Sequence, residues 1–118
     1  MNFIANDREP VYLQIIRYMR QQIVKGELKP GDPVPSRREM AVSIKVNPNT
    51  VQKAYKEMEE MGVINTVRTH QSKITTDEKI ISKIRKDLIH ESLELFISNM
   101  KAIDVEKEEI IKIIKESY

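Results

Sequence analysis

The chain has 118 residues, enough for one domain or for a small domain with an appendage. It is 40% apolar and 32% charged, with a formal net charge of +2, which suits a protein with a modest core and long exposed helix faces. It has no cysteine, which excludes disulfides, thiolate chemistry and cysteine-based metal sites, and no apolar run approaches the roughly 18 residues of a membrane-spanning helix. The N-terminus shows no basic segment ahead of an apolar one, so no signal peptide is expected and the cytoplasm is the expected compartment.

Val11, Ile15, Ile16, Met19 and Ile23 recur at helical spacing and predict a first helix over residues 10–25, followed by Gly26. Residues 28–35 hold three prolines and read as a turn-rich connector. Ser36 with Glu39 spells a capping box, in which each side chain satisfies the other residue's backbone N–H. Met40, Ala41 and Ile44 form the apolar edge of this second helix, and Val46 closes the turn after it. Lys45 stands in that turn where glycine is common, which predicts a mildly strained backbone. Asn47 is a favoured N-cap for a third helix, and Pro48 suits its first turn, where a missing N–H costs nothing. Val51, Ala54, Tyr55 and Met58 line the inner face of that helix, and Gly62 ends it where a left-handed cap is needed. Two short helices joined by a tight turn, with the small Ala41 at their crossing, make a helix-turn-helix. The outer face of the third helix carries Asn49, Thr50, Gln52 and Lys53, groups that reach base edges and phosphates. DNA binding is the function these residues point to.

Residues 63–67 are short and β-branched, Lys73, Ile74 and Thr75 form a second candidate strand, and residues 68–72 between them read as a hairpin tip. A helix-turn-helix followed by such a hairpin is a winged helix-turn-helix. Thr75 with Glu78 offers another capping box, opening a long helix over about residues 77–100. Its apolar stripe is broad, and a last helix over roughly residues 105–117 adds Ile110, Ile111, Ile113 and Ile114. Fully burying each such side chain is worth about 1.5–3 kcal/mol, and two terminal helices cannot cover them all. A second copy of the chain is the expected cover, with Leu88, Leu93, Phe96, Ile110 and Ile114 among the buried residues. The fold class is therefore mainly α, with a small β-hairpin wing: a DNA-binding domain over residues 1–76 and a short two-helix dimerisation region over residues 77–118. Charge follows the same division. Residues 1–76 carry 12 Lys and Arg against 8 Asp and Glu, whereas residues 77–118 carry 8 against 10. The basic part is the one that holds the helix-turn-helix.

The residues Pro10-x-Tyr12-x-Gln14-Ile15, Gly26-x-Leu28-x-Pro30-Gly31, Pro35-Ser36-x-Arg38-Glu39-x-Ala41, Val46-Asn47-Pro48-Asn49-Thr50-Val51-x-x-Ala54-Tyr55 and Gly62-Val63-Ile64 resemble the N-terminal domain of GntR-family transcriptional regulators. The match runs over residues 10–75, and the short helical tail is similar to the YtrA-like branch, whose members are often associated with control of transporter genes. The resemblance implies a homodimer on a roughly palindromic operator in double-stranded DNA, with Arg38 contacting DNA. It implies the same role at the start of the recognition helix, at Asn47, Pro48, Asn49, Thr50 and Gln52. Pro48 stands where many relatives carry Arg. At the wing Arg68 is retained, while Thr69, His70, Gln71 and Ser72 replace a glycine-containing tip.

Arg37 and Arg38 are poor neighbours for the positive end of a helix, which points to phosphate as their purpose rather than a solvated helix start. Lys53 and Lys73 read equally as phosphate partners or as solvent-facing residues. His70 suits a minor-groove contact, although a hairpin tip is also where a solvated histidine belongs; His90 reads as structural or exposed. Two distant histidines without cysteine give no transition-metal site. No nucleophile–base pair, phosphate-cradling glycine loop or nucleotide fingerprint is present, so no cofactor is implied. The leading reading is a dimeric regulator, most simply a repressor, tuned by a small-molecule effector of unknown identity. Its rivals are a winged helix used for protein–protein contact without sequence-specific DNA binding, and a small enzyme, which the missing catalytic groups disfavour.

Overall fold

The computed structural model describes residues 3–67 and 71–118. In chain order the elements are α1 (Val11–Lys25), β1 (Pro33–Val34), α2 (Arg37–Ile44), α3 (Pro48–Glu60), β2 (Ile64–Val67), β3 (Gln71–Ile74), α4 (Glu78–Ala102) and α5 (Lys107–Ser117). They form two compact units, Met1–Arg85 and Lys86–Tyr118.

The first unit is a winged helix. Its core gathers Ile15, Ile16, Met19 and Ile23 from α1, Met40 and Ala41 from α2, and Val51, Ala54, Tyr55 and Met58 from α3. These are the positions that helical periodicity selects, and Ala41 is buried as a close crossing of α2 and α3 requires. Gln14 and Arg20 are buried with them, which the apolar pattern alone does not reveal. Gln14 ties the segment ahead of α1 to the helix. Its amide donates to the carbonyls of Asn6 at 2.9 Å and Glu9 at 2.8 Å, and its Oε1 accepts from Asn6 N–H at 2.9 Å. Arg17 grips the Glu9 carboxylate in parallel, which holds that carboxyl below the usual carboxylate range.

The connector contains a strand that its composition does not announce. β1 pairs antiparallel with β3, and the three-stranded sheet has the order β1-β3-β2. The expected hairpin tip is also shorter at its far end, because β3 already begins at Gln71 and Ser72 pairs with Thr66 on one side and Val34 on the other. Ser72 is buried, and its Oγ lies 2.8 Å from Thr66 Oγ1, a cross-strand bond that commits it to the sheet. The tip residues Arg68, Thr69 and His70 lie outside the described residues.

α4 starts one residue later than expected and ends two later, and Asp77 rather than Thr75 caps it. The Asp77 carbonyl accepts the first helical bonds from Ile80 and Ile81, and Asp77 Oδ1 accepts from Lys79 N–H at 2.9 Å. Thr75 Oγ1 instead accepts from Asp77 N–H, turning the chain into the cap. The first compact unit continues past residue 76 into this helix. Ile84 is only 4% exposed and Ile80 closes on Gly62, so the opening turns of α4 pack as part of the winged helix.

In the second unit α4 ends at a left-handed residue, Asp104, with φ 56°. Val105 N–H reaches Met100 O at 3.1 Å and Asp104 N–H reaches Lys101 O at 3.1 Å, which satisfies the last carbonyls of the helix. No residue of this unit is fully buried. Leu88, Ile89, Ser92, Leu93, Phe96 and Tyr118 line an open, mostly apolar groove of about 530 Å³. Among the described residues no helix is long and apolar enough to cross a membrane.

Candidate nucleic-acid interface

The candidate interface is built from two helix starts. At α2, Ser36 Oγ accepts from Glu39 N–H at 3.1 Å and Glu39 Oε1 accepts from Ser36 N–H at 3.2 Å, so the capping box that the sequence spells is present. At α3, Asn47 Oδ1 accepts from Asn49 N–H at 2.8 Å with Pro48 in the first turn. Between them Lys45 takes φ 56° and ψ 49°, the left-handed conformation that its place in the turn predicts. Val46 N–H then bonds to Ala41 O at 3.0 Å and closes the turn.

These anchors fix which side of α3 faces out. Val51, Ala54, Tyr55 and Met58 point into the core, which leaves Asn49, Gln52 and Lys53 exposed and Thr50 half-buried. Asn47 and Pro48 are exposed at the helix start. Arg38 is exposed in the first turn of α2. Lys53 is held back toward the protein, with Nζ 4.0 Å from the centre of the Tyr12 ring, a cation–π contact between α3 and α1. Lys73 is exposed on β3, opposite Pro33 and Asn65.

Arg37 behaves differently from Arg38. Its Nη2 donates to the Glu59 carboxylate near the end of α3, and its guanidinium lies 5.1 Å from the centre of the Tyr55 ring. The Tyr55 hydroxyl donates to the Pro35 carbonyl at 2.6 Å. Burial pushes the Tyr55 phenol well above its ordinary pKa; the Arg37 charge opposes that shift and Glu39 adds to it. Tyr55 and Glu59 hold the start of α2 against α3, although the sequence marks Tyr55 only as a core residue. A fully buried tyrosine needs a partner for its hydroxyl, and that was the available signal. Among the described residues no cluster of His, Cys, Asp or Glu could hold a metal ion.

Residues 11–71 match the family described as bacterial regulatory proteins, gntR family. The chain is 42% identical over 107 residues to the HTH-type transcriptional regulator YhcF of Bacillus subtilis, covering 91% of this chain and 88% of that one. It is 42% identical over 108 residues to the HTH-type transcriptional repressor YtrA of the same organism, covering 91% and 83%. Among solved structures, a GntR family transcriptional regulator from Listeria monocytogenes superposes with a TM-score of 0.90 at 38% identity, covering 97% of this chain and 100% of that one.

Proposed function

The chain belongs to the GntR family of bacterial regulatory proteins, and from that premise we propose that it is a homodimeric, cytoplasmic repressor of a roughly palindromic operator. It is a transcriptional regulator rather than an enzyme. The observation that carries the proposal is the outer face of α3. Asn49 and Gln52 stand exposed on a helix whose opposite side is locked into the core. An amide there can pair bidentately with adenine in the major groove. Arg38, exposed in the first turn of α2, is the residue we assign to the DNA backbone beside it. The repressor sign is supported by the relative YtrA, named a repressor, and the resemblance to the YtrA-like branch favours a transporter operon as the target. The dimer is supported by the apolar side chains left uncovered on the terminal helices. A small-molecule effector would act by changing the separation or angle of the two DNA-binding heads.

The test starts from a duplex selected by the wild-type protein from a random library. Arg38→Ala should weaken binding to it by about 1–3 kcal/mol, the range for a charge-assisted hydrogen bond, with the fold intact by circular dichroism. Asn49→Ala and Gln52→Ala, put through the same selection, should relax the consensus at one position in each half-site. Unchanged affinity for Arg38→Ala together with an unchanged consensus for both amide variants would remove this face from the interface. Failure of the wild type to enrich any sequence would sink the reading altogether.

A further inference from the structure

Two charges in the winged helix stand at helix ends that disfavour them. Arg37 is the first residue of α2, where the positive end of the helix dipole repels a cation, and Glu59 lies in the last turn of α3, where the negative end repels an anion. They meet across 22 residues of sequence, each offsetting the other's unfavourable position. The contact does not stand alone. The Arg37 guanidinium stacks toward the Tyr55 ring at 5.1 Å, and the Tyr55 hydroxyl holds the carbonyl of Pro35, two residues before Arg37. The start of α2 is thus tied to α3 at two points, Arg37 to Glu59 and Pro35 to Tyr55. The side chains of Arg37 and Glu59 are only 28% and 34% exposed. Arg37 Nε is enclosed and meets no acceptor among the described residues. An enclosed Nε cannot offer the side-on Nε and Nη edge to a phosphate, and the end-on pair of Nη groups already has Nη2 donating to Glu59.

We infer that Arg37 is a positioning residue: it does not touch DNA but clamps the start of α2 to the end of α3, fixing the angle between Arg38 and the recognition helix. The inference rests on the DNA-binding reading above for its consequence, and on the Arg37–Glu59–Tyr55 geometry for its cause. It separates two adjacent arginines into two roles.

The experiment uses the full chain and the duplex selected by the wild type, titrated at several salt concentrations. Arg37→Ala and Glu59→Ala should each weaken binding on the order of threefold to tenfold, the double variant should be no weaker than either single one, and the slope of log affinity against log salt should stay at the wild-type value. Arg38→Ala should lower that slope by about 1, as the loss of one phosphate contact does. The charge-reversed pair, Arg37→Glu with Glu59→Arg, should recover affinity lost in Arg37→Glu alone, which also guards against a single variant that fails to fold. A slope lowered by Arg37→Ala, tighter binding by Glu59→Ala, or no recovery in the reversed pair overturns the clamp and makes Arg37 a backbone contact. A wild type that selects no duplex refutes the DNA-binding reading instead. The clamp is then read from urea midpoints of the wild type, Arg37→Ala, Glu59→Ala and their double, where strictly additive effects of the two alanine substitutions overturn it.

Discussion

Lys45 holds φ 56° and ψ 49° in the turn between α2 and α3, a conformation in which Cβ crowds the following carbonyl. That costs a non-glycine residue about 1–2 kcal/mol, whereas glycine gives back about 0.5–1 kcal/mol through its freer unfolded chain. Lys45→Gly should therefore raise stability by up to about 1.5 kcal/mol, seen as a higher urea midpoint with an unchanged slope; a lower midpoint would mean that the lysine makes a compensating contact. Tyr55 gives a pH test. Its phenol has a folded pKa above the ordinary value of about 10. Below pH 10 both states keep the proton and nothing changes. As pH rises past the unfolded value the unfolded chain releases its proton first, so it binds fewer protons than the folded chain and stability falls. Tyr55→Phe should cost about 0.5–1.5 kcal/mol at neutral pH by losing the bond to Pro35, and its deficit against the wild type should shrink above pH 10. A deficit constant from pH 8 to 11 would refute the buried-phenol account. At this scale the sequence is legible where a residue's role is local. The strain at Lys45 and the cap at Ser36 follow from neighbours within four positions. The partners of Arg37 do not, because Glu59 and Tyr55 arrive only once α2 and α3 have packed.

The junction between α3 and β2 shows how much one element boundary carries. Val63 N–H bonds to Met58 O at 2.9 Å and Gly62 N–H to Glu59 O at 3.0 Å, the paired bonds that end a helix through a left-handed residue, with Val63 and Met58 both buried beside them. Gly62 supplies that residue at φ 76°, and a Cβ there would come within 3.0 Å of Ile80 Cδ1 on α4. The isoleucine tip can shift cheaply, so backbone strain dominates. Gly62→Ala should cost about 1 kcal/mol, the strain of about 1–2 kcal/mol less about 0.5–1 kcal/mol given back by the stiffer unfolded alanine chain, and trimming the neighbour in Gly62→Ala with Ile80→Val should not restore it. Recovery by the trimmed neighbour would show that the close approach, not φ, sets the cost. Helices were legible here because each carries its stop or start in a single residue type: Gly62 after α3, Asn47 and Pro48 before it. β1 was not. Two residues among prolines have no periodicity to read, and the strand exists only because β3 offers an edge. The cap of α4 misled for a related reason. Thr75 and Glu78 have capping-box spacing, but Thr75 is buried, its N–H bonds to Val63 O and its Oγ1 accepts from Asp77 N–H, so the helix begins from the cap at Asp77.

Across the whole molecule, charge and apolar exposure divide the labour. The net positive charge lies in the winged helix, while the net-acidic tail is a poor surface for DNA and carries most of the large apolar side chains left in water. Leu93, Phe96 and Ile114 remain 45%, 37% and 45% exposed, Leu88 and Ile110 are half-buried, and nothing in the Lys86–Tyr118 unit forms a closed core. The width of the stripe was legible from the sequence; its pairing geometry was not, because that depends on a surface which one chain does not contain. If two copies bury these faces together, two recognition helices can be presented at about one DNA turn, roughly 34 Å. Leu93→Glu with Phe96→Glu should then shift sedimentation of the micromolar protein from dimer to monomer while leaving the winged helix folded. A chain ending at Arg85 is the sharper truncation, because it keeps Ile80 and Ile84 in the unit they pack with; one ending at Thr76 should lose stability as well as assembly. Linking two heads raises affinity by about 10²–10⁴ without any new base contact, so both the glutamate variant and the Arg85 truncation should bind the palindromic duplex weaker by about that factor, yet bind an isolated half-site as well as the intact protein does. A monomeric wild type, or a truncated chain with full affinity for the palindrome, would remove the dimer and the effector mechanism that depends on it.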